Sequence, residues 1–170
     1  MFRITALSSE YFISDCWDIA RNSLVKRFQH WGDVFSVDFA IGVTKLPSVN
    51  WTNVFHFTLN GDNADYGDRI PALWIHKDGY FRISFNINDN QYYHHDFEFV
   101  LGQKYHIILK QFIEGEKYWY EVKINGESKY HTENTQPQIY NDVKLYASDP
   151  WHEPFSSDLG QICNVKIQDS

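Results

Sequence analysis

The chain has 170 residues, of which 43% are hydrophobic and 18% aromatic, and its net charge is −7. This length suits one domain with a substantial core, and so much bulky apolar side chain excludes a disordered chain. The excess of 22 acidic over 15 basic residues, with no basic stripe, argues against nucleic acid and anionic membranes as partners. No apolar run approaches the roughly 18 residues that a membrane span needs, so membrane insertion is not expected.

In chain order, the first segment with any helical character is 18–31, where we expect at most one short helical turn. From residue 34 onward, apolar side chains recur at every second position, which is typical of strands with one buried face. Asp78-Gly79 and Asn125-Gly126 tolerate the positive φ that tight hairpins require. The strands predicted in this way are 34–43, 54–59, 74–76, 80–87, 105–113, 118–124, 127–131, 143–147 and 162–167.

This succession of strands predicts the fold class. We expect roughly ten to twelve strands and no alternation with helices, a pattern typical of a sandwich or barrel. No internal repeat, linker or low-complexity tract interrupts the chain. The prediction is therefore a single all-β domain over residues 1–170, built as a two-sheet antiparallel β-sandwich.

Several motifs resemble a known superfamily. They are Pro71-Ala72-Leu73-Trp74-Ile75, the strand and turn ending in Ile124-Asn125-Gly126-Glu127, and Leu145-Tyr146-Ala147-Ser148-Asp149-Pro150-Trp151. The order of these motifs resembles the concanavalin A-like jelly-roll superfamily, with its laminin-G-like, pentraxin-like and legume-lectin-like domains. The segment 51–151 is most similar to extracellular modules of animal adhesion and matrix proteins. The resemblance implies two curved sheets that bind glycans or protein partners at the rim or concave face, sometimes through Ca²⁺.

Two features bear on localisation. Cys16 and Cys163 lie near opposite ends of the chain, where the first and last strands of a sandwich often pair. A disulfide between them would close a loop of well over about 100 residues and stabilise the fold by roughly 4 kcal/mol, although two separate buried thiols fit the sequence equally well. Asn50-Trp51-Thr52 is a glycosylation sequon on Asn50. Together they favour an extracellular or cell-surface domain.

The beginning of the chain bears on the same question. Met1-Phe2-Arg3-Ile4 lacks the apolar segment of a signal peptide. An intracellular protein and a fragment of a secreted protein with an added Met are both consistent with this start. We favour the fragment.

The loop 60–69 is the first candidate site. Its carboxylates and amides are the hard oxygen ligands that Ca²⁺ prefers, with Asp62, Asp65 and Asp68 as the predicted metal ligands. Alternatively, Asp, Asn and Gly form turns here, and Arg69 neutralises one carboxylate. The ligand-binding residues predicted from this loop are Asn60, Asp62, Asp65, Asp68 and Arg69.

The loop 148–154 is the second candidate. Its prolines stiffen it, and an exposed Trp151 is a rigid aromatic anchor for a sugar ring or a partner side chain. Alternatively, Trp151 folds inward and closes one end of the sandwich, the commoner outcome for Trp. We assign Asp149, Trp151 and His152 from this loop, and Trp74, to the predicted binding surface.

Histidines are candidate zinc ligands, and closely spaced acidic residues are candidate catalytic groups. His56, His76 and His106 could form a cluster only if their strands pair, and the default expectation is histidines on a wet sheet face. Asp96-Phe97-Glu98 has only two of the three carboxylates of the Glu-x-Asp-x-Glu strand that glycosidases of this fold share. We therefore do not expect an enzyme.

The functional prediction is an extracellular recognition module that binds a glycan or an extracellular protein through loops 60–71 and 148–158, with Ca²⁺ as a candidate cofactor. One alternative is a self-associating module without a small ligand, in which outward aromatics such as Tyr92, Tyr93 and Trp119 form a protein interface. A glycoside hydrolase is a remote third option.

Overall fold

A computed structural model describes residues 9–170, and the predictions made for Met1-Phe2-Arg3-Ile4 lie outside these residues. The described chain is all β, with no helix and therefore none that could cross a membrane. The strands are β1 Ser9–Cys16, β2 Leu24–Trp31, β3 Phe35–Val43, β4 Trp51–Thr58, β5 Ala72–His76, β6 Tyr80–Ser84, β7 His94–Glu98, β8 Lys104–Glu114, β9 Lys117–Ile124, β10 Glu127–Glu133, β11 Tyr140–Tyr146, β12 Glu153–Pro154 and β13 Gly160–Asp169.

These strands form a sandwich of two sheets. The six-stranded sheet has the order β1-β13-β3-β8-β9-β10, and the seven-stranded sheet has the order β2-β11-β4-β5-β6-β7 with the short β12 beside β4. All pairings are antiparallel except that of β12 with β4. The predicted two-sheet antiparallel sandwich is confirmed.

The core lies between the two sheets, where the alternating side chains meet. In β3 every second residue is buried, and Val37, Phe39 and Ile41 are at most 1% exposed. In β4, Phe55 and Phe57 are completely buried and pack in the same core cluster. Because successive strand side chains point to opposite faces, the intervening His56 lies on the face turned away from the other sheet.

The first described strand and the last strand lie side by side. β1 pairs with β13 in antiparallel register, and Cys16 lies opposite Cys163. The two residues form a disulfide, which decides between the two alternatives that the sequence left open. The single helical turn allowed within 18–31 does not form; Leu24–Trp31 is instead a strand that pairs with β11 and buries Phe28 and Trp31 in the core.

Candidate ligand-binding site

The outer face of the seven-stranded sheet carries the candidate site. Across neighbouring strands, Asn53 lies opposite Trp74, Trp74 opposite Arg82, and Arg82 opposite Asp96. The neighbours of Trp74 and Arg82 along their own strands are core residues, so these two side chains share the outer face. This row of residues is part of the sheet face that two loops, described next, pack against.

Two loops cover one part of this face. The segment between β4 and β5 and the segment between β11 and β12 meet above His56, which is completely buried although it is on the outer face. His56 Nδ1 is 2.8 Å from Asp149 Oδ2, and Nε2 contacts the main-chain oxygen of Asp68. Both ring nitrogens of His56 therefore face oxygen atoms of the two loops, which fix the orientation of the ring.

Asp149 holds the loop between β11 and β12 in place through its buried carboxylate. Its buried carboxylate accepts hydrogen bonds from the main-chain N–H groups of Trp151 and His152 and from the rings of His56 and His152. Its own N–H donates to Asn53 Oδ1 at 2.8 Å. Burial by itself would raise the pKa of Asp149, but the hydrogen bonds from His152 and His56 hold it well below its ordinary value. Asp149 therefore has no exposed surface for a ligand and instead positions its neighbours.

Asp62 connects the loop between β4 and β5 to the loop between β11 and β12. Its Oδ1 accepts a hydrogen bond from Arg69 Nε at 2.6 Å, and its Oδ2 is 3.5 Å from His152 Nε2. Asp68 Oδ2 accepts hydrogen bonds from the main-chain N–H groups of Asn63 and Asp65, and these bonds stabilise the conformation of the loop. The two loops thus form one polar network of acidic and basic side chains.

Beside this network lies a cavity of about 210 Å³, which we call the outer-face cavity. It is lined by Trp51, Arg69, Trp74, Arg82, Tyr92 and His152. Trp74 is 3% exposed and forms the floor, whereas Tyr92 is 64% exposed and stands at the mouth. The lining consists of three aromatic rings and three nitrogen-bearing side chains, and contains no carboxylate.

The two arginines of the cavity are held in place by both rings and carboxylates. The Arg82 guanidinium lies 4.4 Å from the ring centroid of Trp51, and that of Arg69 lies 5.0 Å from Trp74. Arg82 Nε and Nη2 each donate to a different oxygen of Asp96 at 2.8 Å. This hydrogen bonding raises the pKa of Arg82, and it lowers the pKa of Asp96 against the opposing effect of burial. Both guanidiniums are therefore charged and restrained.

The structure brings together most of the predicted binding residues. Asp62, Arg69 and Trp74 meet Asp149, Trp151 and His152 in this network and cavity. Trp151 does not close the end of the sandwich; it is 44% exposed, and its ring contacts His56 and Tyr146. Of the predicted residues, Arg69, Trp74 and His152 line the cavity. The side chains of Asn60 and Asp65 lie apart from it: Asn60 accepts a hydrogen bond from Lys144 of β11, and Asp65 is exposed on the loop.

The predicted Ca²⁺ ligands have other roles in this structure. Asp62 pairs with Arg69, and Asp68 bonds to the loop main chain. Across residues 9–170, no group of three or more His, Cys, Asp or Glu side chains has a geometry suited to a metal ion. Ca²⁺ binding through Asp62, Asp65 and Asp68 stays a prediction.

The histidine expectations need correction. His56 was expected on a wet face but is buried by the two loops. His56 and His76 belong to the seven-stranded sheet, whereas His106 belongs to β8 of the other sheet and pairs with Asp38. The three side chains therefore do not form a cluster.

Trp51 and Arg82 were not predicted from the sequence as site residues, and Tyr92 was predicted only for a protein interface. One signal could have found Arg82. The Asp78-Gly79 turn fixes the register of the β5–β6 hairpin, and this register sets Arg82 opposite Trp74. No comparable signal marks Tyr92, which reaches the cavity from the segment between β6 and β7.

The remaining surface predictions fall elsewhere on the molecule. Asn50 of the sequon is exposed immediately before β4, and its glycosylation stays a prediction. Tyr93 packs partly against the core, and Trp119 stacks on His131 at 4.6 Å on the outer face of the six-stranded sheet. These two aromatics and Tyr92 therefore do not form one continuous patch.

Comparison with known proteins assigns the fold. No protein-family model and no curated protein matches the sequence. Among solved structures, the botulinum neurotoxin serotype D binding domain matches with a TM-score of 0.56 and 14% identity, over 88% of this chain and 34% of that one. A SAP-like pentraxin from Limulus polyphemus matches with a TM-score of 0.52 and 13% identity, over 85% of this chain and 67% of that one.

A third similar structure is the Trypanosoma rangeli sialidase, with a TM-score of 0.53 and 15% identity. The match covers 79% of this chain but only 20% of the sialidase, so the chain spans about a fifth of that protein. Identities this low establish the fold alone. The chain is a jelly-roll β-sandwich of the concanavalin A-like type, and the recognition of this fold from its sequence motifs is confirmed.

Proposed function

We propose that this chain is an extracellular recognition domain that binds a saccharide unit of a glycan in the outer-face cavity. The observation that carries the proposal is the lining of this cavity by three aromatic rings, two guanidiniums and one imidazole. A sugar ring presents apolar C–H groups to aromatic side chains and hydroxyl groups to hydrogen-bond donors. A site of this composition serves both parts of the sugar.

The dimensions of the cavity support a small occupant. Its volume of about 210 Å³ lies below the roughly 300 Å³ at which pockets for drug-sized ligands begin. One sugar ring with its substituents is a ligand of this scale. Trp51 and Tyr92 are the stacking surfaces that we assign to it, because Trp74 beneath them is almost completely buried.

Two further observations support an extracellular location. The Cys16–Cys163 disulfide is of a kind that persists in oxidising compartments. The exposed Asn50 of the sequon is accessible to a glycosyltransferase. The proposal assigns binding to this domain and no catalytic step.

A glycan array probed with the intact chain tests the proposal. We expect binding to a defined set of glycans that is lost in the Trp51→Ala variant. Trp119→Ala is the matched control, because Trp119 is also half-buried in a strand but lies on the other sheet. A parallel array in EDTA tests the Ca²⁺ prediction, which requires that EDTA weaken binding. Absence of binding to any glycan, or equal binding by the Trp51→Ala variant, contradicts the proposed function.

A further inference from the structure

We propose that the saccharide unit recognised by the outer-face cavity is acidic, with its anionic group held by the terminal nitrogens of Arg69 and Arg82. This inference rests on the proposed function and specifies the class of its ligand. The anionic group is a carboxylate or a sulfate, which present the same oxygen acceptors to a guanidinium.

The hydrogen bonding of the two arginines leaves donors for a ligand. Arg69 uses Nε for Asp62, and Arg82 uses Nε and Nη2 for Asp96. Within residues 9–170, Arg82 Nη1 and both terminal nitrogens of Arg69 have no hydrogen-bonded protein acceptor. Each guanidinium offers five N–H donors in a rigid fork, so several of them remain available to a ligand.

The guanidiniums are also held before a ligand arrives. Arg69 lies over Trp74 and, at 5.7 Å, over the ring of Tyr92, while Arg82 lies over Trp51. Ordering a long cationic side chain in advance reduces the entropy that binding must overcome. A flexible arginine that merely solubilises the surface would have neither the ring contacts nor the two-point contact with Asp96.

The charges near the cavity favour an anion locally. The chain as a whole carries a net charge of −7, which repels anions at long range. The cavity lining nevertheless contains two arginines and His152 and no carboxylate, because Asp62 and Asp96 contact the guanidiniums from outside the lining. An acidic group entering the cavity therefore meets donors in the lining, while Asp62 and Asp96 compete for the guanidiniums from outside it.

The test compares saccharides that differ only in the acidic group. Methyl β-glucuronide is paired with methyl β-glucoside, and galactose 6-sulfate with galactose; binding is measured by NMR titration of the intact chain. We expect at least one acid to bind roughly tenfold more tightly than its neutral partner, the effect of one charged hydrogen bond. The two pairs distinguish a carboxylate from a sulfate.

Two variants separate anion recognition from a structural role. Arg82→Gln should reduce the affinity for the acid roughly tenfold with little effect on a neutral sugar. Asp96→Asn should increase the affinity for the acid about threefold, because it removes a partly exposed carboxylate that competes for Arg82. Arg27→Gln is the matched control, since Arg27 forms a solvent-exposed ion pair with Asp142 on β2 and β11.

The outcomes distinguish this inference from the proposed function. If neutral saccharides bind as tightly as their acids, and the Trp51→Ala variant abolishes both, the function stands and the acidic specificity is wrong. If Arg82→Gln weakens acidic and neutral sugars equally, Arg82 acts only by supporting Trp51, which also overturns the inference. If the glycan array detects no glycan, the function and this inference fall together.

Discussion

His56 and Asp149 form a completely buried hydrogen bond, with Nδ1 2.8 Å from Oδ2, on the face of a sheet that would otherwise be open to water. The pair joins β4 to the loop after β11. Because the Asp149 carboxylate has lost its water, it depends on hydrogen bonds from the rings of His152 and His56. The pair thereby holds the loop that carries His152 against the cavity.

Replacement of His56 by Ala should destabilise the domain strongly. The substitution leaves the buried Asp149 carboxylate with one hydrogen-bond donor fewer, and we expect a loss of about 3 kcal/mol in the free energy of unfolding. Urea unfolding, monitored by tryptophan fluorescence, measures this loss of stability. The matched control is His106→Ala, because His106 and Asp38 form a His–Asp pair with side-chain exposures of 51% and 35%. An equal loss in both variants would contradict the role assigned to the buried pair.

Asp149 should make the domain sensitive to acid. Its pKa is lowered in the folded state, so the stability that it contributes is present above the unfolded pKa of about 3.9. This contribution is lost as the pH falls below about 5 toward the lowered folded pKa. Urea unfolding at several pH values between 7 and 2.5 should show the loss.

The Asp149→Asn variant provides the comparison for acid sensitivity. It should be less stable than the parent at pH 7, because the neutral amide cannot replace the charge that faces His56 and His152. Its stability should also fall less steeply with acid. Identical slopes for the parent and the variant would show that other carboxylates account for the acid response.

The Cys16–Cys163 disulfide should contribute substantially to stability. The two cysteines are 147 residues apart in sequence, so the bridge closes a very long loop in the unfolded chain. The chain-entropy relation gives about 5 kcal/mol for such a loop. Urea midpoints of the oxidised protein and of the Cys16→Ser, Cys163→Ser double variant measure the difference. A shift equivalent to less than about 1 kcal/mol would be inconsistent with the entropic account.

Gly67 should resist substitution more than another glycine of the same backbone conformation. Its φ is +77°, and a Cβ at this position would lie 2.4 Å from Leu59 Cδ1. Gly126 has a φ of +81°, but a Cβ there has no neighbour within 4 Å. We expect Gly126→Ala to cost about 1 kcal/mol from backbone strain alone. Gly67→Ala should cost about 3 kcal/mol, because steric overlap is added to the same strain.

Thermal or urea unfolding of the two glycine variants gives this comparison directly. Gly67→Ala should also weaken saccharide binding, since Gly67 adjoins the loop residues that position Arg69. Equal destabilisation by the two substitutions would mean that Leu59 moves aside without cost.

The sequence by itself determined the fold and much of the site's location. Alternation of apolar residues at every second position can bury only one face of each strand, so segments such as Phe35–Val43 require a second sheet to cover them. The distribution of Asp, Asn, Gly and Trp identified the two loops that later proved to be neighbours. The positions of Cys16 and Cys163 permitted a disulfide but could not require one.

The tertiary structure decided how these elements act together. Periodicity places His56 on an outer face and predicts contact with water; only the meeting of two loops distant in sequence removes that water and pairs His56 with Asp149. In the same way, Trp51, Arg82 and Tyr92 come from three separate segments and share a cavity only after the sheet has formed. Such contacts depend on non-local packing, which local patterns of residues do not encode.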